Sequence, residues 1–497
     1  MSVNSAPYLR ALNFRVVFFA VFTLLLPGSD ARALDVSAPF TDPLSALPEI
    51  IRTGVTLPGD AAPFPCSEDK DFSTSLTLAE AVDIALCNNP QVKAAWASIK
   101  IQASELGQAR ASYLPSASIT TNRLQTSTKY PRQNGQDTVA TGDAIAATFS
   151  WRIFDFGGRE ANRQSANQLL IAAISSHDAV LQKTLSNLVQ AYFDAQSAQS
   201  ELRTKMKNLE ISDGILASAR RREERGLGSR TETLQAATLH AKAALERGRA
   251  VGTNQRAQAI LAYALGVSIK TPITLSEDLR DDKEIEILRL DDWLTIATES
   301  HPSIKAARAQ WEAAKYKIAS ARSEGLPTFD FSASYNENGY PGQGLSAVKT
   351  QVTTISISMT IPVFDGFSRT YKIRGAESLA DQRRAELDDI ENNVLSEIVK
   401  AHADTLASIL NLQAADNLLN AAQESMNGAQ RKFEKGAADI SEILNTQTAL
   451  LDAQQEHVRS LAEWRSARLR LLAGAGVLGR TFLHTTKYQR EKISSYQ

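Results

Sequence analysis

The sequence predicts an α+β membrane protein built as a tandem duplication, in which strand pairs alternate with very long helical hairpins. Three observations predict it: landmarks that recur 210 or 212 residues apart, strict two-residue hydrophobic alternation after a Leu-Pro in each half, and two helical stretches of about 65 residues without proline. The expected segments are an export signal at 1–33, a proline-rich arm at 34–75, a first repeat at 76–285, a second at 286–475 and a polar tail at 476–497.

The signal rests on Arg10 and Arg15, an apolar run from Val16 to Leu26, and the small-x-small site Ala31-Arg32-Ala33. That run is shorter than the about 20 residues a spanning helix needs. No later stretch reaches that length either, so a membrane-embedded part would be a β-barrel. The formal charge is −1; removing Arg10, Arg15, Arg32 and Asp30 takes away a net +2 and leaves −3, which is no footprint for nucleic acid. The two cysteines, Cys66 and Cys87, are expected to pair in an oxidising compartment and staple the arm to the first helix; two inert buried thiols are the alternative.

The repeat organises the rest. Leu78 to Leu86 runs into Asn89-Pro90, and Leu290 to Ala297 runs into His301-Pro302; the two prolines are 212 residues apart. Leu114-Pro115 and Leu326-Pro327 repeat the interval. Phe154-Asp155-Phe156-Gly157-Gly158-Arg159 is matched by Phe364-Asp365-Gly366-Phe367-Ser368-Arg369, and Gly226 by Gly436, each at 210.

After each Leu-Pro the period is two. Phe329, Phe331, Ala333 and Tyr335 alternate with polar residues, as do Ile355, Ile357, Met359 and Ile361. The first half offers Ile145, Ala147, Phe149, Trp151 and Ile153. Such strands have one apolar and one polar face and the length of a tilted barrel strand. By pattern alone they would also suit a soluble sandwich; the export signal and the helices favour the membrane. From Arg159 to Arg225, and from Arg369 to Lys435, the chain is proline-free with apolar spacings of three and four, as in Leu181, Leu185, Leu188 and Tyr192. Each stretch turns at Gly226 or Gly436 and returns as a helix to about Gly266 or Gly474.

No catalytic constellation is present. The six histidines are scattered, no pair has metal-ligand spacing, and neither cofactor nor metal is expected. Gly474-Ala475-Gly476-Val477-Leu478-Gly479 matches a dinucleotide fingerprint in letters, but it follows a helix rather than a strand and reads as a helix C-terminus. An exported enzyme is therefore disfavoured.

Two strands followed by a long helical hairpin, repeated, with Leu-Pro before and Phe-Asp after the strands, resembles the TolC family of outer-membrane factors over roughly residues 76–475. Cys66 and the Ala85-Leu86-Cys87-Asn88-Asn89-Pro90 run resemble members serving type I secretion of toxins, adenylate cyclase toxin among them. The resemblance implies a homotrimer: a twelve-strand outer-membrane barrel, four strands per chain, continued by an α-helical barrel across the periplasm. Its partners would be a periplasmic adaptor and an inner-membrane ABC-type transporter or other pump, with protein export and drug efflux as alternative duties. A pore-less periplasmic coiled-coil adaptor is the rival of another class.

The resemblance also assigns the site. The hairpin tips Gly226-Leu227-Gly228 and Gly436-Ala437 would meet the adaptor, and the inner pair of helices would constrict the entrance. Glu232 and Glu442 stand six residues after the tip glycines, and three copies of Glu442 would ring the aperture and favour cations. The alternative is that both acids complement helix dipoles. Phe433 takes the place of the family's aromatic before the inner tip, Ala438 that of a basic residue, and Asn445 that of a second acid.

Overall fold

The computed structural model describes residues 42–50, 75–128, 138–226, 228–271, 273–276, 289–338, 350–434 and 440–476. The expected export signal, most of the arm and the tail beyond Gly476 lie outside the described residues. A small N-terminal unit spans residues 1–46 and a main unit residues 47–497. The described part of the first is a turn in which the Ala46 N–H donates to Asp42 Oδ1 at 2.7 Å.

The main unit opens with α1 (Leu78–Asn88) and α2 (Pro90–Ala111). Thr77 and Glu80 close a reciprocal capping box on α1, which satisfies two of its orphan N–H groups. Pro90 cannot donate within α1, so the chain breaks at Asn89 and restarts with proline at the first position of α2. The same break separates α5 (Leu290–Ser300) from α6 (Pro302–Ser323). At the first break the cap acceptor is Asn89 Oδ1, 2.9 Å from the Gln91 nitrogen; at the second it is His301 Nδ1, 3.2 Å from the Ser303 nitrogen.

Between the helix pairs lie β1 (Ser116–Thr128) with β2 (Thr138–Phe154), and β3 (Thr328–Asn338) with β4 (Thr350–Thr360). The hairpins are α3 (Gly158–Glu224) with α4 (Arg230–Leu265), and α7 (Ser368–Glu434) with α8 (Ile440–Gly474). Both α3 and α7 are 67 residues long, or about 100 Å at 1.5 Å per residue. Both begin and end within one residue of the proline-free stretches in the sequence.

Each hairpin ends on a left-handed glycine set against the proline break that opened its half. Gly266 has φ +71°, and a Cβ there would come within 2.7 Å of the Asn88 carbonyl group. Gly476 has φ +75°, and a Cβ there would lie 3.0 Å from Pro302 Cδ. The sequence has the second returning helix run to about Gly474, and α8 ends there; the left-handed turn and the close approach fall two residues later, 210 after Gly266. The fingerprint-like run is thus entered through a helix C-terminus.

The main core gathers where these ends meet. Leu181, Leu185, Leu188 and Tyr192 of α3 are fully buried there against Val82 and Leu86 of α1, Leu261 and Leu265 of α4, Ile304 of α6, Ile398 of α7 and Leu471 of α8. Leu450, Leu461 and Trp464, on the same periodic pattern in α8, are only half-buried. The Tyr192 hydroxyl donates to the Leu76 carbonyl at 3.0 Å, and burial pushes its pKa up to about 12. Leu76 in turn forms a parallel bridge with Leu275, tying the start of the first half to its end.

His301 makes this core pH-sensitive. Burial lowers its pKa, so the folded state prefers the neutral ring, and protonation would also remove the Nδ1 acceptor that caps α6. The stabilisation is present above the unfolded value of about 6.5 and is lost as pH falls through the lower folded value. His301→Asn, copying Asn89, is expected to remove about 1 kcal/mol of acid destabilisation. Unfolding of purified wild type and variant across pH measures this, and identical pH profiles would exclude the cap.

Candidate functional site

The four strands form one antiparallel sheet in the order β1-β2-β3-β4, so β2 and β3 pair although a whole helical hairpin separates them in sequence. The strands are 13, 17, 11 and 11 residues long, which reaches the about 9–11 a tilted strand needs to cross a bilayer. The register sorts side chains into two faces. Ala117, Phe149, Ala333 and Ile355 form one row, and Trp151, Phe331 and Ile357 the next; Phe329 pairs with Met359 beyond them. On the other face Ser116, Ser150, Ser332 and Ser356 form a row, with Ser116–Ser150 and Ser332–Ser356 hydroxyls 2.8 and 2.7 Å apart. Arg152 and Asp330 pair beside them at 2.9 Å.

Among the described residues the apolar face is largely uncovered. Ile119 is 80% exposed and Ile357 71%, and every residue of β4 is exposed. A continuous apolar face of this extent marks a surface that meets lipid or protein. Among the described residues no helix is long and apolar enough to cross a membrane.

Each strand-to-helix joint is a tight turn with two consecutive left-handed residues. In the first these are Phe156 (φ 51°) and Gly157 (φ 91°), in the second Gly366 and Phe367 (both φ 66°). A left-handed phenylalanine costs about 1–2 kcal/mol, so the joints carry strain. Both joints nevertheless set an edge-to-face aromatic pair, Phe154–Phe156 at 4.7 Å and Phe364–Phe367 at 5.4 Å. Arg159 secures the first joint. Its guanidinium donates to the carbonyls of Arg152, Ile153 and Ser112 and pairs with Asp155 at 3.2 Å, beneath the Tyr113 ring. Beside it, hydrogen bonds from Arg163, Gln164 and Tyr113 pull the Glu160 carboxyl down to about 2.

At the opposite end of the long helices are the tips. Gly226 is left-handed (φ +72°), and the Gly228 N–H donates to the Arg222 carbonyl at 3.1 Å, closing the turn on the end of α3. Ser229 caps α4 by accepting from the Glu232 N–H, and the Glu232 carboxylate lies beside Gly228. Leu227, Gly436 and Ala437 are outside the described residues. Phe433 lies in the last turn of α7. Glu442 is in the first turn of α8, and its Oε1 is 3.0 Å from Lys432 Nζ on α7, while Asn445 is exposed one turn further on. Cys87 is disulfide-bonded; its expected partner Cys66 lies outside the described residues.

Three contacts were not foreseen in the sequence. Lys432 is one; it stands ten residues before Glu442, and equal distance either side of a turn is a signal that antiparallel helices will oppose the two. The second is the docking of α8 on the first hairpin, where Leu444 packs on the cluster of Leu216, Ala219 and Ala236. The third is a polar ladder between α3 and α8, with Asn208 accepting from Gln447 in a buried setting (3.5 Å), Gln455 from Lys205 (2.9 Å) and Gln190 from Ser466 (2.7 Å). A polar cavity of 510 Å³ opens beside the ladder where α7 joins α3 and α8.

The family model for outer membrane efflux proteins matches residues 81–267 and again residues 293–477. Protein CyaE of Bordetella pertussis is 36% identical over 442 residues, covering 86% of this chain and 92% of that protein. Alkaline protease secretion protein AprF of Pseudomonas aeruginosa is 22% identical over 428 residues, 82% and 86% of the two chains. Among solved structures, the CmeC outer membrane channel of Campylobacter jejuni superposes with a TM-score of 0.72 at 17% identity, over 89% of this chain and 98% of that one.

Leu444→Ala should loosen the tips, lowering the cost of local opening there by about 1–2 kcal/mol. Hydrogen exchange would read this as faster exchange of amides around Ala236 and Leu444 with the sheet unchanged. Unaltered exchange at the tips would show that the Leu444 contact does not hold them.

Proposed function

This chain belongs to the outer membrane efflux protein family, and from that premise we propose that three copies form the passive exit duct of a type I system that carries a protein across the periplasm and outer membrane. It is an outer-membrane protein whose helices extend into the periplasm. The observation that carries the duct reading is the two-faced sheet with two unpaired edges. In lipid every backbone N–H and C=O must be satisfied, so β1 and β4 need neighbours. Pairing β4 of one copy with β1 of the next closes a barrel. With three copies it has twelve strands, enough to leave a water-filled lumen lined by the serine rows, whereas eight strands fill with side chains. Tandem duplication accounts for the equal lengths of α3 and α7 and for the twice-matched family model.

The reading implies no chemistry at the protein: the duct is not an enzyme, and direction and energy come from an inner-membrane ABC-type transporter through a periplasmic adaptor. The tips around Gly226, Leu227, Gly228, Gly436 and Ala437 would dock the adaptor. The inner tips would form the aperture, with Glu442 as its acidic ring and Phe433 and Asn445 beside it. A Cys66–Cys87 disulfide would hold the arm on α1.

Relatives named for secretion of proteases favour a protein cargo. Small-molecule efflux is the second reading, favoured by relatives named for pyoverdine export.

Deleting this gene is expected to remove a large protein from the culture supernatant while leaving drug sensitivity unchanged. An unchanged secretome with gained drug sensitivity would transfer the assignment to small-molecule efflux. For the aperture, Glu442→Gln trimers in planar bilayers should shift toward anions relative to wild type, and an unaltered reversal potential would remove Glu442 from the aperture.

A further inference from the structure

We propose that Lys432 sets the ion preference of the periplasmic aperture by holding Glu442 as a charge-balanced pair within each copy. The proposal rests on the duct reading above. Lys432 Nζ lies 3.0 Å from Glu442 Oε1, joining the last turn of α7 to the first turn of α8. The two residues stand five positions either side of Ala437. The first hairpin repeats the arrangement 210 residues earlier: Arg222 and Glu232 stand five positions either side of Leu227, and both lie against Gly228. Each tip therefore places a cation on its outgoing helix and an acid on its returning helix.

Exposure decides what such a pair can do. The side chains of Lys432 and Glu442 are 61% and 41% exposed, so the pair is too well solvated to contribute much to the fold. Its effect is on the field. A carboxylate with an ammonium at hydrogen-bond distance presents a dipole, whose potential falls off faster with distance than that of a bare charge. Asn445, on the following turn, supplies no second charge. Three copies would bring three carboxylates and three ammonium groups to the aperture, leaving the acidic ring balanced. Lys432 is thus a specificity-determining residue acting through Glu442.

Full-length wild type, Lys432→Gln, Lys432→Arg and the double variant Lys432→Gln/Glu442→Gln, reconstituted in planar bilayers under a potassium chloride gradient, test this. The expected result is a several-fold rise in the cation-to-anion permeability ratio for Lys432→Gln. The rise should be reversed by Lys432→Arg and absent from the double variant. Identical reversal potentials for wild type and Lys432→Gln would overturn the proposal, leaving the pair as a tip staple only. Failure of Lys432→Gln alone to assemble would overturn it in favour of a structural role. Wild-type protein that conducts no ions would overturn the duct reading itself, and this proposal with it.

Discussion

The requirement that governs this molecule is that no backbone hydrogen-bonding group can be left open in a hydrocarbon medium. Among the described residues, the sheet of four strands satisfies its interior registers and leaves β1 and β4 each with an open edge. A helix escapes the requirement because it pairs with itself; a four-stranded sheet cannot. In the proposed duct, oligomerisation would follow from this unfilled ladder. Were the ladder closed by copies of the same chain, as proposed, the polar faces would have to point to a common axis and the helices would have to leave the barrel on one side.

The joints transmit that geometry. Both turn through two left-handed residues, yet they place glycine and phenylalanine in opposite order, Phe156-Gly157 against Gly366-Phe367. The backbone path and the aromatic pair are both kept while the order of the two residues is not, so the joint constrains the turn and the ring contact and not the position of the glycine. Arg159 then collects the carbonyls that strand and helix leave unsatisfied at the first joint, so the angle between sheet and helix is fixed by hydrogen bonds to three residues.

Much of this was legible beforehand because it is periodic. Phe329, Phe331 and Ala333 announced β3 by alternation, and Leu181, Leu185, Leu188 and Tyr192 announced the buried stripe of α3 by spacing. The helix limits were legible because glycine and proline mark them. What escaped depends on which helix lies opposite which. Glu442 read as an aperture acid or as a complement to the helix dipole; its partnership with Lys432 appears only once α7 and α8 are folded against each other. The end of the second hairpin at Gly474 was legible in this way, whereas the left-handed turn at Gly476 is distinguished only by its approach to Pro302.

The equal 67-residue lengths of α3 and α7 act as a ruler. A deletion of one heptad in α3 alone would lift one tip by about 10 Å relative to its neighbour and pull Leu444 off its seat. To keep the tips level, the same number of residues must be lost from all four hairpin helices together. Four coordinated deletions are a remote event for a gene, so the reach of the helices is effectively frozen. In the proposed duct, any divergence in the distance between the two membranes would have to be absorbed by the proteins that meet this one from below.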